Sequence, residues 1–370
     1  MGRRVLVAAC AAVLLALALP QDAPAAKKIQ LGVALKHLGE DPEQLTGFDA
    51  VSQSVPTMLT SIRWHKVQRS CRDIKRGRFD WTLIDRLAEL WATNGIKMVG
   101  TLKGGPPCAT ARPGVKSQPK RAYMRYWAKF ARRVAARYGP NGSHKHHPLR
   151  HIELWSEPNL KSWTTGPRGY AKAFVKMARK VRKGNRRVKM VSGGIGFCCA
   201  KPTKFVQTLY KVKGFARAAS EIGIHTYAPN PKSALRRVRQ IRRVIKRHGK
   251  RERIAITEHA WATCLRPDLD RTKLKKCAGL TRQARFMGKY VRSLRRPKNR
   301  KLKVSRFFWF TSQDFASDEV AAACPGQPKY LYGFYRFDGT PKPSKATWES
   351  LVGKALPDQI EENTEPRFCH

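Results

Sequence analysis

Acidic side chains are scarce in this chain: 25 Asp and Glu stand against 75 Lys and Arg, a formal net charge of +50. Such an imbalance implies attraction to a polyanion, whether nucleic acid, an anionic membrane surface or an acidic polymer. The basic residues do not gather into one arm, however. From Leu235 to Arg253 they interleave with Leu235, Val238, Ile241, Val244 and Ile245, as on the solvated face of a helix. Charge dispersed in this way also fits a basic surface without a single target, and no specific nucleic acid is expected. The glycine fingerprints of dinucleotide sites and P-loops are missing too. So are Cys-x-x-Cys pairs and clustered histidine ligands. His144, His146 and His147 fall in a polar stretch beside Gly139, Pro140 and Gly142, where a solvated loop is the simpler reading. No metal and no cofactor is therefore expected. Beyond the N-terminus no apolar run is long enough to cross a bilayer, so no transmembrane segment is expected.

The N-terminus itself reads as a secretory signal peptide over residues 1–26. Arg3 and Arg4 precede an apolar run from Val5 to Leu19, and Ala23-Pro24-Ala25 supplies small residues at a cleavage site. The expectation is a secreted, extracellular protein. Of nine cysteines, Cys10 lies in the leader, which leaves an even number for an oxidising compartment, where disulfides are the default. Residues 27–356 then form one large domain, and 357–370 an acidic, polar and loosely attached tail. Oligomeric state is not readable.

Along the chain, strand-like and helix-like segments alternate. Strands are expected at Ile29–Leu35, around Leu59 to Trp64, at Ile96–Leu102, Ile152–Ser156, Val188–Gly194, Glu221–Tyr227, Arg253–Glu258 and Val304–Thr311. Helical spacing links Leu83, Leu87, Leu90 and Trp91; Trp127, Phe130, Val134 and Tyr138; and Tyr170, Phe174, Met177 and Val181. Eight strands alternating with helices mean parallel pairing with right-handed crossovers, and several of the strands are nearly continuously apolar, as burial on both faces requires. At this length the expected fold is α/β, a single (β/α)8 TIM barrel.

Two stretches carry the chemistry. Ile152–Asn159 (I-E-L-W-S-E-P-N) ends in Ser156, Glu157 and Pro158, and proline stops the ladder because it has no N–H to donate. Arg253–Trp261 (R-I-A-I-T-E-H-A-W) repeats the design with Glu258. One glutamate closing a strand is more often a solvated or capping residue; two, both at carboxyl ends of barrel strands, form a candidate acid/base and nucleophile pair. All strand ends of a parallel barrel open on one face. There they would gather Arg63, Trp64, Lys103, Trp155, Ser156, Asn159, His225, Tyr227, Trp261, Trp309 and Gln313 around the pair. Indoles for stacking and polar groups for hydroxyls suit an oligo- or polysaccharide, an acidic one if the positive charge serves the reaction. Any single member of this set could equally be core; Trp155 and Trp309 could fill the interior and His225 could be a satisfied buried histidine.

The pattern resembles the clan of retaining glycoside hydrolases built on (β/α)8 barrels, in which an Asn-Glu pair closes strand four and a second glutamate closes strand seven. R-F-D-W-T-L-I-D-R-L with N-G-I-K, and L-W-S-E-P-N, resemble family 39-like members, and I-T-E-H-A-W, T-R-Q-A-R-F and F-D-G-T-P-K-P-S resemble stretches of the clan at large, a family 39-like or family 5-like chain. The resemblance runs from Ile29 to Leu351. It implies Glu157 as acid/base, Glu258 as nucleophile, Tyr227 bonded to the nucleophile, Arg63 beneath it, His225 on the substrate rim and Trp309 as floor of the subsite. One departure stands out: the clan's asparagine, which binds the sugar 2-hydroxyl, is Ser156 here. An active O-glycosidase is the leading reading. A barrel that binds carbohydrate without cleaving it, or a basic scaffold for an anionic polymer, are the alternatives. Cys71 and Cys108, in loops beyond strands two and three, are expected to pair, as are Cys264 and Cys277.

Overall fold

The computed structural model describes residues 28–35, 55–112, 117–160, 162–197, 201–248, 251–263, 278–315 and 331–362. The leader and the Cys264–Cys277 pairing lie outside the described residues.

Eight parallel strands close into a barrel in sequence order. They are β1 (Gln30–Leu35), β2 (Thr57–Arg63), β3 (Lys97–Lys103), β4 (Leu149–Ser156), β5 (Lys189–Gly194), β6 (Glu221–His225), β7 (Arg253–His259) and β8 (Val304–Trp309). β8 closes on β1 through Gln30↔Arg306 to Val33↔Trp309. The expected (β/α)8 barrel is the fold.

Strand alternation sets two layers of core. Outward residues such as Val33, Met58, Ile62, Met98, Ile152, Leu154, Ile222, Ile224, Ile254 and Ile256 are buried against the helices. Ala34, Leu59, Val99 and Phe308 form a separate cluster inside the barrel. Above them, Thr101 Oγ1 donates to Glu153 Oε2 at 2.7 Å, both residues fully buried.

The surrounding helices begin and end where local chemistry directs. Asn230 accepts from the Ser233 N–H and Pro231 opens the helix Pro231–Arg247, whose buried side carries Leu235, Val238, Ile241, Val244 and Ile245. The helix Thr82–Thr93 stops before Gly95, whose φ of +67° is the left-handed conformation glycine tolerates. Cys71 and Cys108 are bridged, joining the segments after β2 and β3.

Three details differ from the sequence reading. Trp64 does not extend β2; it opens a one-turn helix, Trp64–Val67, in which its indole donates to Gln68 Oε1 at 2.8 Å. The polar stretch with the histidines is tied down: His144 and His146 lie 3.6 and 3.5 Å from Asp85 and Glu89, and His147 Nε2 lies 2.9 Å from the Gly142 carbonyl. The start of the tail is docked rather than loose. Tyr335 donates to the Pro357 carbonyl at 2.5 Å, Ile360 is buried with its N–H on the Gly339 carbonyl, and Gln313 donates to the Glu361 carbonyl. Ile360 supplies the apolar contact that the surrounding acidic residues mask in the sequence.

Candidate active site

The carboxyl ends of β4, β6 and β7 bring four of the expected residues together. The β6–β7 register places His225 opposite Glu258. His225 Nδ1 lies 3.0 Å from Glu157 Oε1 and 3.4 Å from Glu258 Oε2. One ring nitrogen thus touches both carboxylates, and the two oxygens can be no farther apart than the sum of those distances. That compact arrangement accommodates the roughly 5–5.5 Å between the carboxyl groups of a retaining pair. The Tyr227 hydroxyl donates to Glu258 Oε2 at 3.0 Å.

The two glutamates are not equivalent. The Glu157 side chain is 32% exposed and the Glu258 side chain 12%. The first carboxylate therefore meets solvent, while the second sits deeper.

Backbone strain aims the outer one. Trp155 and Glu157 both have positive φ, +72° and +49°, values costly for residues with a Cβ and recurrent at functional sites. The β4–β5 ladder joins Leu154 to Ser192 and Ser156 to Gly194, skipping the pair between. The Tyr170 hydroxyl, from the helix Gly166–Gly184, fills that gap: it donates to the Leu154 carbonyl at 2.7 Å and accepts the Gly193 N–H at 2.6 Å. Beyond it, the Glu157 N–H donates to the Gly194 carbonyl at 2.9 Å. Two glycines leave room for the pair. A Cβ on Gly194 would stand 2.0 Å from His225 Nε2, and one on Gly196 would stand 2.7 Å from Glu157 Oε1.

Burial and charge set the titration of the neighbours. Burial, and then the Glu258 charge, push the Tyr227 hydroxyl well above its ordinary pKa, so it remains a donor. Tyr332 is raised to about 12, by burial and then by Glu258. Strand-end counting does not reach Tyr332, since it arrives from the segment after β8 and packs on Tyr227 with ring centroids 5.7 Å apart. His259, the last residue of β7, is brought down to about 3 by burial and is neutral; its Nδ1 lies 3.0 Å from Thr226 Oγ1.

The tryptophans are mostly inside. Trp64 and Trp309 are fully buried, and Trp309 donates to the Tyr332 carbonyl at 3.1 Å; neither presents a face to a ligand in this structure. Trp261 is 6% exposed and donates to the Ala228 carbonyl. Trp155 packs edge-on against Trp127 and Trp163 and donates to Ser162. Asn159 spends its whole amide on Gly196, donating to the carbonyl and accepting the N–H, and so locks the turn after β4 to the one after β5.

Ser156 borders a cavity of about 200 Å³ shared with Arg63, His65, Lys103, Gly104, Trp155 and Ser162. Arg63 and Lys103 are in register at the ends of β2 and β3. Burial and then the Arg63 charge lower His65 to about 4, so this edge of the rim carries the field of two cations. His65 is missed by sequence because it follows Trp64 into the short helix rather than ending a strand. Among the described residues no His, Cys, Asp and Glu cluster could hold a metal ion, and no helix there is long and apolar enough to cross a membrane.

No protein-family model matches the sequence, and no curated protein matches it. Solved structures do resemble it. A family 39 glycoside hydrolase from Bacteroides cellulosilyticus shares 17% identity at a TM-score of 0.64, covering 88% of this chain and 63% of that one. A monomeric β-xylosidase from Caulobacter crescentus shares 19% at 0.62, over 87% and 67%. An intracellular xylanase from Thermoanaerobacterium saccharolyticum, solved with xylotriose, shares 14% at 0.59, over 87% and 94%. The chain thus spans 63% of the length of the first of these proteins. At these identities the likeness is one of architecture: the chain has the (β/α)8 barrel fold of family 39 glycoside hydrolases and xylanases.

Proposed function

We propose that the protein is a retaining O-glycosidase in which Glu157 is the acid/base and Glu258 the nucleophile. The observation that carries this reading is the His225 ring nitrogen 3.0 Å from one carboxylate and 3.4 Å from the other, a spacing that accommodates the roughly 5–5.5 Å of a retaining pair. In the first step Glu258 attacks the anomeric carbon while Glu157 delivers a proton to the departing glycosidic oxygen. In the second, Glu157 takes a proton from the incoming water, and the bond from Glu258 to sugar breaks. Tyr227 holds Glu258 Oε2 in place, and the His225 contact ties the charge of one carboxylate to that of the other.

The solved neighbours named for xylosidases, and the xylotriose held by one of them, make xylo-oligosaccharides the first substrates to try. Acidic sugars fit better still. Arg63, His65 and Lys103 surround the cavity beside Ser156, and the whole chain carries a formal charge of +50. The leader would direct such an enzyme out of the cell, and sequencing the N-terminus of the mature protein would test that.

The decisive experiment is a screen of nitrophenyl glycosides, neutral and uronic, with wild type, Glu258→Ala and Glu157→Ala. Both variants should lose turnover with nearly unchanged melting, and azide should restore Glu157→Ala on an activated leaving group. Full activity in either variant ends the assignment.

A further inference from the structure

We infer that the N-terminal mouth of the barrel, opposite the two glutamates, is a binding site for a tetrahedral oxyanion of the phosphate or sulfate class. A cavity of about 210 Å³ opens there among Lys97, Arg150, His151, Arg187, Lys189 and Arg306. Strand register gathers them. Lys97 and Lys189 are the first residues of β3 and β5, His151 pairs with Lys189 across β4–β5, and Arg306 closes the ring from β8 beside Gln30.

The charges around this cavity do not balance. No carboxylate lines it. Glu221, at the start of β6, forms an ion pair with Arg306. Arg150 donates to the His147 and Leu149 carbonyls, which carry no net charge to offset its own. Lys97, Arg187 and Lys189 are exposed stems that can fold inward. An anion entering the mouth would therefore meet several cations with one compensating acid among them.

His151 supplies an independent sign of a missing partner. It is only 5% exposed, and neither ring nitrogen has a hydrogen-bond partner. Whichever tautomer it adopts, an imidazole carries at least one N–H, and a buried donor left unsatisfied is destabilising. Burial, and then the charges of Arg306, Lys189 and Arg150, hold its pKa well below the ordinary histidine value, as expected where positive potential lacks an answering anion. An oxyanion in the cavity would accept from His151 and neutralise the surrounding cations.

The donors also select the ligand. Guanidinium forks and ammonium groups approaching from four strands match an anion with several acceptor oxygens spread in three dimensions. A neutral sugar would leave the charges unmatched. The cavity opens outward, so the oxyanion could be a free ion or a group carried on a small saccharide.

Calorimetric titration of the full chain with inorganic phosphate and with a hexose 6-phosphate, against chloride at matched ionic strength, tests the site. One saturable site per chain is expected, weakened at least tenfold in Lys97→Ala/Lys189→Ala and in His151→Leu. The double variant changes only exposed side chains, so it remains informative if the buried substitution fails to fold. Tighter binding of the hexose phosphate than of phosphate supports the site with a saccharide-borne group as its ligand; equal binding supports it with the free ion. Absence of saturable phosphate binding, or equal binding in wild type and the double variant, overturns the inference and leaves only a diffuse basic surface.

Discussion

Replacing Gly194 by alanine puts the reading of the site under the most direct strain. The added methyl would stand 2.0 Å from His225 Nε2, 2.3 Å from its Cδ2 and 2.6 Å from Thr257 Oγ1, where ordinary contact begins at 3.4 Å. The ring must retreat by about 1.4 Å to reach carbon contact distance. His225 is fully enclosed and cannot swing into open space. A displacement of that size must disturb the Nδ1 contacts with the two carboxylates, which stand 3.0 and 3.4 Å away. A hydrogen bond to a charged group contributes about 1.5–3 kcal/mol, and 1.36 kcal/mol is tenfold in rate. Loss of the Glu157 contact should therefore lower kcat about 10- to 100-fold. Overpacking costs roughly 1–3 kcal/mol of stability, so the melting temperature should fall by several degrees while the circular dichroism stays that of the barrel. Gly279→Ala is the matched control, since nothing lies within 4 Å of its Cβ position and its φ is ordinary. The assay is kcat and KM on one nitrophenyl glycoside for the three proteins. If Gly194→Ala turns over within threefold of wild type, His225 does not organise the pair, and the proposed coupling is wrong.

Three other outcomes are expected. Ser156→Asn restores the side chain that resembling enzymes use for the 2-hydroxyl; a neutral hydrogen bond of about 0.5–1.5 kcal/mol should raise kcat roughly three- to tenfold on sugars with a free 2-hydroxyl, and a loss beyond tenfold would instead mean that serine makes room for a bulkier group. His259 has its folded pKa depressed to about 3 from 6.5, so the unfolded state binds the extra proton and stability falls as pH drops from about 6.5 toward 3. Urea titrations should show roughly 3 kcal/mol lost between pH 7 and pH 4 from this group, and less than that in His259→Gln if the variant folds. The Cys71–Cys108 bridge spans 37 residues, worth up to about 4 kcal/mol by loop entropy; Cys71→Ser/Cys108→Ser should melt lower than wild type, and unaltered melting would show that the bridge does not constrain the unfolded chain.

The barrel was legible because its signals are redundant. Apolar strands alternate with segments of helical period along most of the chain, so an error of a residue or two at one edge leaves the topology intact. Counting to the strand ends likewise finds Glu157, His225, Tyr227 and Glu258, because parallel strands deliver their last residues to one rim. The tryptophans were less legible. Trp309 ends a strand and Trp64 directly follows one, but whether an indole faces a ligand or the helices depends on the backbone at the strand's close. At Trp155 the backbone φ is inverted, +72°, which no spacing rule reveals. His65 and Tyr332 escaped for the opposite reason: they reach the site from a short helix and a returning segment.

The hydroxyl of Tyr170 separates two jobs that loops usually share. It clamps β4 to β5 at Leu154 and Gly193 from inside a 19-residue helix. The direction in which Glu157 leaves its strand is thus set first by a packed helix and a neighbouring strand, with Asn159 pinning the start of the connection that follows. Beyond Asn159 that connection can be lengthened, shortened or exchanged while the Glu157 carboxylate stays where it is. A barrel wired in this way can reshape its rim without moving its pair of carboxylates.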